Sequence, residues 1–206
     1  GDKLAYNYFD KETGEGNIGV ADPMAEIFKT LLPTRLEGWQ LGWAKNDVLI
    51  LIRPPYSGNQ ASSLFTLDTE TKSLHSVLDS KNNLEVLWSP GGQRIIYSYS
   101  DDPAQENNLY FMDLSDQEEI ALNVPLNASK CTWSIDNKTV YCAGKYSFVT
   151  IDTSAAQPAV EDISTLPKEI QSSAATASNL LLTSSEDYLI FRNTQNGKLY
   201  GLSLNQ

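Results

Sequence analysis

Short apolar runs separated by polar joints recur along this chain. VLILI at 48–52, RIIYS at 94–98 and TVYCA at 139–143 each follow a short turn (AKND, SPGG, SIDN) that is itself preceded by a tryptophan. Trp43, Trp88 and Trp133 stand 45 residues apart. A further run ending in aspartate comes next: SLFTLD at 63–68, NLYFMD at 108–113, SFVTID at 147–152. A polar turn and a fourth run follow: SLHSVL at 73–78, EEIAL at 118–122, AVEDI at 159–163. Runs of this length, rich in β-branched and aromatic residues and bounded by Gly, Asn, Asp, Ser and Pro, predict strands joined by tight turns. Four strands thus recur three times, at a period of about 40–45 residues that suits propeller blades.

The flanks keep the register. LAYNY at 4–8 matches the second strand, NIGVAD at 17–22 the third and AEIFKTLL at 25–32 the fourth, although Pro23–Leu32 could also form a helical turn or two, as could Leu166–Gln171. Near the other end, NLLLTSSEDYLIFR supplies two strands and KLYGLSL at 198–204 a third, with Thr183 near the tryptophan position and Ser203 at the aspartate position. The expected fold class is all-β: a β-propeller of four-stranded antiparallel blades forming one domain over 1–206. Its roughly five repeats fall near 1–35, 36–80, 81–125, 126–165 and 166–206, the first and last incomplete. A blade cannot bury both faces alone, so neighbours must stack, and the recurring tryptophan reads as a packing residue between them. The recurring Asp22, Asp68, Asp113 and Asp152 read as turn residues that accept backbone N–H bonds, in preference to metal ligands.

Charge narrows the partners. Fifteen basic against 26 acidic residues give a net charge of −11. Such a surface repels phosphate backbones and anionic lipid headgroups, so neither nucleic acid nor an anionic membrane is an expected partner. The longest apolar runs, such as Val48–Ile52, are too short to span a bilayer.

The segment WSPGGQRIIYSYSDDPAQENNLYFMDLSDQEEIAL resembles the repeat of TolB-type, WD-like β-propellers, which carry a W-S-P-D-G turn and an L-Y-x-M-D-L strand; Gly91 replaces the usual aspartate of the turn. The likeness is good over 84–122, fair over 39–79 and 128–163, and faint at the ends. It implies a propeller, periplasmic or exposed at a surface, that binds other proteins and contributes no catalytic residues. The same repeat also builds the propeller of prolyl-oligopeptidase-type peptidases, in which a separate domain performs hydrolysis.

Catalytic chemistry has little to stand on. His75, the one histidine, lies in a fourth strand, and no G-x-S-x-G elbow accompanies it. His75, Cys131 and Cys142 are too few for a zinc site and have no C-x-x-C spacing. Gly14, Gly16 and Gly19 spell a dinucleotide fingerprint, but they fall in a β-hairpin where no helix follows to meet a pyrophosphate. Asp101, Asp102 and Glu106 lack calcium-loop spacing and read as a solvated loop. Tyr97, Tyr99 and Tyr110 suit either a sugar-binding face or strand packing. No catalytic residue, cofactor or metal is therefore expected.

The cysteines say more. With the turn of CTWSIDNKTVYC centred on Asp136–Asn137, residue i faces residue 273 − i, so Cys131 faces Cys142. A cross-strand disulfide is one reading and two buried thiols the other; export would favour the first. Of two sequons, Asn127-Ala-Ser and Asn137-Lys-Thr, the hairpin-tip Asn137 is the better expected acceptor. The long loop at Arg53–Pro54–Pro55–Tyr56 is a candidate interaction surface. The expected function is a non-catalytic propeller that binds a protein partner, as part of a larger exported or membrane-anchored protein, periplasmic or extracellular. The alternative is the accessory propeller of a prolyl-oligopeptidase-type peptidase whose catalytic domain lies outside this chain.

Overall fold

A computed structural model describes residues 3–45, 47–53, 61–163 and 174–204. These contain seventeen strands in four antiparallel sheets and two single 3₁₀ turns. The chain divides into two compact units, Gly1–Leu84 and Glu85–Gln206.

In the first unit, β1 (Leu4–Asp10), β2 (Glu15–Asp22) and β3 (Ile27–Thr34) form one sheet. Next come β4 (Gln40–Lys45), β5 (Val48–Arg53), β6 (Ala61–Asp68) and the first half of β7 (Leu74–Trp88), each paired with its sequence neighbour. Ile18, Val20 and Leu31 of the first sheet meet Leu49, Leu51 and Leu67 of the second, with Trp39, Leu41, Trp43 and Phe65 at the margin. The helical option over Pro23–Leu32 is not taken: residues 23–26 are a turn and Ile27 opens β3. Leu31 is buried there while Thr30 and Leu32 are not, the alternation of a half-buried strand. Leu166–Gln171 lies outside the described residues.

In the second unit the end of β7 runs beside β8 (Arg94–Ser100), which pairs with β9 (Asn108–Asp113) and through it with β10 (Ile120–Ala121). A four-stranded sheet follows: β11 (Cys131–Trp133), β12 (Thr139–Ala143), β13 (Phe148–Asp152) and β14 (Ala159–Asp162). The last sheet is β15 (Ala177–Leu182), β16 (Tyr188–Asn193) and β17 (Leu199–Ser203). Period-two alternation makes the middle sheet two-sided. Cys131, Trp133, Val140, Cys142, Val149 and Ile151 pack on Ile96, Leu109 and Phe111. From the other face, Ala143 and Phe148 pack on Leu180, Leu189, Phe191 and Leu202.

Two strands depart from expectation. The expected fourth strand at 73–78 and the following first strand are one continuous β7, within which Ser80 and Asn83 take positive φ. The five expected repeats are therefore distributed over four sheets. The expected strand at 118–122 shrinks to two residues because Asn123 at φ 56° interrupts the ladder; the backbone recovers with Leu109 N–H donating to Val124 O at 2.9 Å.

Two joints recur. Ser89–Arg94 and Ser134–Thr139 are the same turn: the serine N–H donates to the carbonyl of the residue five ahead, and that residue's N–H donates to the serine Oγ. Thr183–Tyr188 repeats it, so Thr183 takes the serine place and Leu182 the tryptophan place. The second joint is an aspartate turn. Asp10, Asp22, Asp68, Asp113 and Asp152 each accept the N–H of the residue two ahead at 2.8–3.0 Å, and Asn193 does the same. Four residues after five of these, Gly14, Glu26, Lys72, Gln117 and Gly197 have φ between 55° and 71° and close the tip. The second strand's first residue faces the aspartate each time (Val48–Asp68, Arg94–Asp113, Thr139–Asp152), and Tyr188 faces Ser203 in the same register.

Hydrogen bonds to the ionised form hold several of these carboxyls below their ordinary value. For Asp68 the donors are Thr71 and Glu70; for Asp10, Glu12 and Thr13; for Asp152, Ser154. Burial pushes Asp113 up, but Ser115 and Arg94 together outweigh it. A folded-state pKa below the unfolded value stabilises the fold above the ordinary carboxylate value of 3.8 and is lost as pH falls through the depressed one. Melting temperature should thus hold steady from neutral pH to about 4.5 and then drop, more gently in an Asp68→Asn/Asp152→Asn variant, whose amide oxygens still accept the turn bonds. A melting temperature constant to about pH 2.5 would contradict this.

Candidate functional site

The connections at one end of the strands of the second unit line an open cleft of about 350 Å³. Four pieces of chain build it. The β8–β9 connector contributes Glu106 and Asn107, and the segment after β10 contributes Pro125, Leu126, Asn127 and Lys130. The start of the β12–β13 hairpin contributes Ala143, Gly144 and Lys145, and Ala175 comes from the 3₁₀ turn before β15.

Each wall is fixed by local chemistry. Asp102 turns the β8–β9 connector by accepting the Ala104 N–H at 2.9 Å. Buried Ser98 Oγ accepts from Asn107 Nδ2 at 3.4 Å and from the Ala128 N–H at 3.0 Å, tying connector to 3₁₀ turn. The Glu85 carboxylate clamps that turn from outside, accepting Asn127 Nδ2 at 3.2 Å and the Ser129 N–H at 3.0 Å. From inside, Lys130 Nζ donates to the carbonyl of Ala177. Burial lowers the Lys130 pKa by disfavouring its charged form. Lys145 is exposed at the rim, its Nζ 5.6 Å from the centre of the Tyr146 ring.

Directly beneath the cleft, Cys131 and Cys142 are bonded as direct cross-strand partners, both buried. Lys130 precedes one cysteine and Ala143 follows the other, so the bridge holds two walls of the cleft together.

The tyrosines expected either as a sugar face or as packing form a stack. Tyr99 and Tyr110 lie 4.3 Å apart between centroids at 15°, and Tyr97 lies 5.6 Å from Tyr110. Tyr97 and Tyr99 donate to the two Glu119 oxygens at 2.7 and 2.9 Å. Burial first, then the neighbouring carboxylate or phenol, raises the pKa of Tyr97 and Tyr110, and burial raises Tyr99. The phenols stay protonated donors at neutral pH, and Tyr97 has no exposed surface, so the stack anchors the exposed Glu119 to β8.

The remaining candidates scatter. Trp133 is buried and donates Nε1–H to the Leu87 carbonyl at 3.2 Å; Trp43 and Trp88 are half-buried. His75 lies exposed on β7 opposite Thr66. Gly14 forms a turn, whereas Gly16 and Gly19 sit inside β2; a Cβ on Gly19 would come within 2.5 Å of the Tyr6 ring. Asp101, Asp102 and Glu106 are exposed. Arg53 ends β5, and Pro54–Tyr56 lie outside the described residues.

Both sequon side chains are engaged: Asn137 Oδ1 accepts the Gly91 N–H at 2.5 Å and its Nδ2 donates to Ile135 O at 3.2 Å, while Asn127 Nδ2 donates to Glu85.

No protein-family model and no curated protein sequence matches the chain. Solved structures do match. TolB from Acinetobacter baumannii superposes with a TM-score of 0.61 at 15% identity, over 98% of this chain and 54% of that one. An oligogalacturonate lyase in complex with manganese gives 0.63 at 14%, over 93% and 55%. The β-propeller domain of the trilobed protease from Pyrococcus furiosus gives 0.60 at 13%, over 100% and 64%. The chain thus has a TolB-like β-propeller fold and spans between half and two thirds of the length of these structures. A fold shared by proteins this different selects no activity by itself.

Proposed function

We propose that this chain is a non-catalytic binding platform whose cleft at Asn107, Lys130 and Lys145 receives a segment of a protein partner. The observation that carries the reading is the cleft itself: loops from several strand pairs converge there with amide and ammonium donors, and each wall is tied down by a side chain. Preorganised walls lower the ordering cost of binding. The size suits one or two side chains and lies at the low end of the roughly 300–1,000 Å³ usual for ligand pockets. The Cys131–Cys142 bond supports an oxidising, exported setting. Among the described residues no helix is long and apolar enough to cross a membrane.

The test is site-directed photo-cross-linking in the organism of origin. A benzophenone side chain in place of exposed Tyr146, beside the cleft, should give one discrete adduct. The same probe at exposed Tyr188, at the opposite end of the strands, should give none. Equal labelling from both sites, or none from Tyr146, would overturn the reading.

A further inference from the structure

We propose, building on the binding-platform reading, that the cleft recognises a carboxylate, and that its ligand is a peptide segment carrying one carboxylate among neutral residues, held by Lys130 and Lys145. Charge distribution is the first argument. Residues 85–206 carry fifteen acidic and seven basic side chains, yet two of those seven lysines and arginines line this one cleft. Against them stands Glu106 at an exposed position. Long-range repulsion from so acidic a surface disfavours anions almost everywhere, so a site that gathers ammonium groups is the place where an anionic group can gain a short contact.

Geometry is the second argument. Lys130 is half-buried, and its ammonium is held by one bond to the Ala177 carbonyl; an ammonium has three donors. A carboxylate entering the cleft accepts from that ammonium without moving it, and charge-assisted bonds to a partly desolvated cation are the stronger kind. Lys145, exposed at the rim, brings the second positive charge to the same cleft. Leu126, Ala143 and Ala175 give the aliphatic stem of a glutamate an apolar floor. Gly144 opens the hairpin with its N–H donating to Ser147 O at 2.9 Å, which keeps the Lys145 backbone in a fixed tight turn. Burial already disfavours the Lys130 charge, and a bound anion offsets that cost. Glu106 sets the selectivity: an isolated carboxylate flanked by neutral residues fits better than a run of them, because further negative charge meets Glu106.

The experiment titrates isotope-labelled protein with two eight-residue peptides and follows backbone amide shifts. One peptide carries a single central glutamate among serine, glycine and leucine; the other has glutamine there. The glutamate peptide should shift the amides of Asn107, Ser129, Gly144 and Lys145 and bind at least about fivefold more tightly, with the difference shrinking as salt rises from about 20 to about 200 mM. Lys145→Gln should remove most of the preference. Lys138→Gln, which deletes the same charge at an exposed turn outside the cleft, should preserve it. Equal binding of both peptides at these amides would overturn the carboxylate assignment and leave the binding-cleft reading standing. So would an equal loss in Lys138→Gln. Shifts confined to residues away from the cleft would overturn both.

Discussion

Replacing Trp133 by alanine should destabilise the second unit by about 3–5 kcal/mol, the range for removing a large aromatic side chain from a packed core. The indole is buried in one cluster with Val140, Ile151, Phe111 and the cysteines, and its N–H satisfies the carbonyl of Leu87 on β7. The substitution leaves both a void and an acceptor without its donor. The half-buried Trp43 and Trp88, at the matching places in the sequence, bury less surface, so their alanine variants should lose at most about half as much. Urea unfolding with near-equal m-values is the measurement. Equal losses at all three positions would show that the repeats share one packing environment after all. A loss below about 1 kcal/mol at Trp133 would show that the core described for the second unit is wrong.

Reduction of the Cys131–Cys142 bond should lower stability by about 2–3 kcal/mol, or roughly 5–10 °C in melting temperature for a chain of this size. Chain entropy for a closed loop of about 12 residues gives about 3 kcal/mol. The native hairpin reduces it, because the Ser134 turn already favours the closed conformation in the reduced chain. Reduction is a cleaner test than mutation, since two thiols nearly conserve volume in a core with no room to relax. Alkylation of the intact protein without reductant should leave its mass unchanged. Scanning calorimetry with and without dithiothreitol then measures the loss. Identical melting in both would show that the bond adds no stability beyond that of the hairpin it closes.

Both predictions rest on features that differ in how far the sequence reveals them. The strand boundaries and the aspartate turns follow from alternation and from turn chemistry that acts within five residues. For that reason Val48–Arg53, Arg94–Ser100 and Thr139–Ala143 lie close to where the apolar runs place them. The cysteine pairing is legible too, because one turn fixes every partner along a hairpin. That same register puts Lys130 opposite Ala143 and so hints at the cleft. What it cannot reveal is that Asn107, from a different hairpin, and Ala175, from beyond it, complete the walls: those are long-range contacts with no periodic signature. The continuity of β7 was hidden for a related reason. Asp79–Asn83 reads as a polar joint, yet the strand runs through it with two left-handed residues, Ser80 and Asn83. Glu119 was invisible as an anchor, since nothing in EEIAL distinguishes the glutamate that meets two phenols from its neighbour.

The aspartate hairpins carry a consequence for variability. Their conformation is set by one side-chain oxygen at the start and one left-handed residue four places later. The three residues between are Lys-Glu-Thr after Asp10, Pro-Met-Ala after Asp22, Thr-Glu-Thr after Asp68, Leu-Ser-Asp after Asp113 and Thr-Gln-Asn after Asn193. Apart from the Glu-Thr shared by the first and third and the leading Thr shared by the third and last, these triplets differ at every place, which marks the tips as places where foreign epitopes or labels can be grafted while the sheets beneath keep their order.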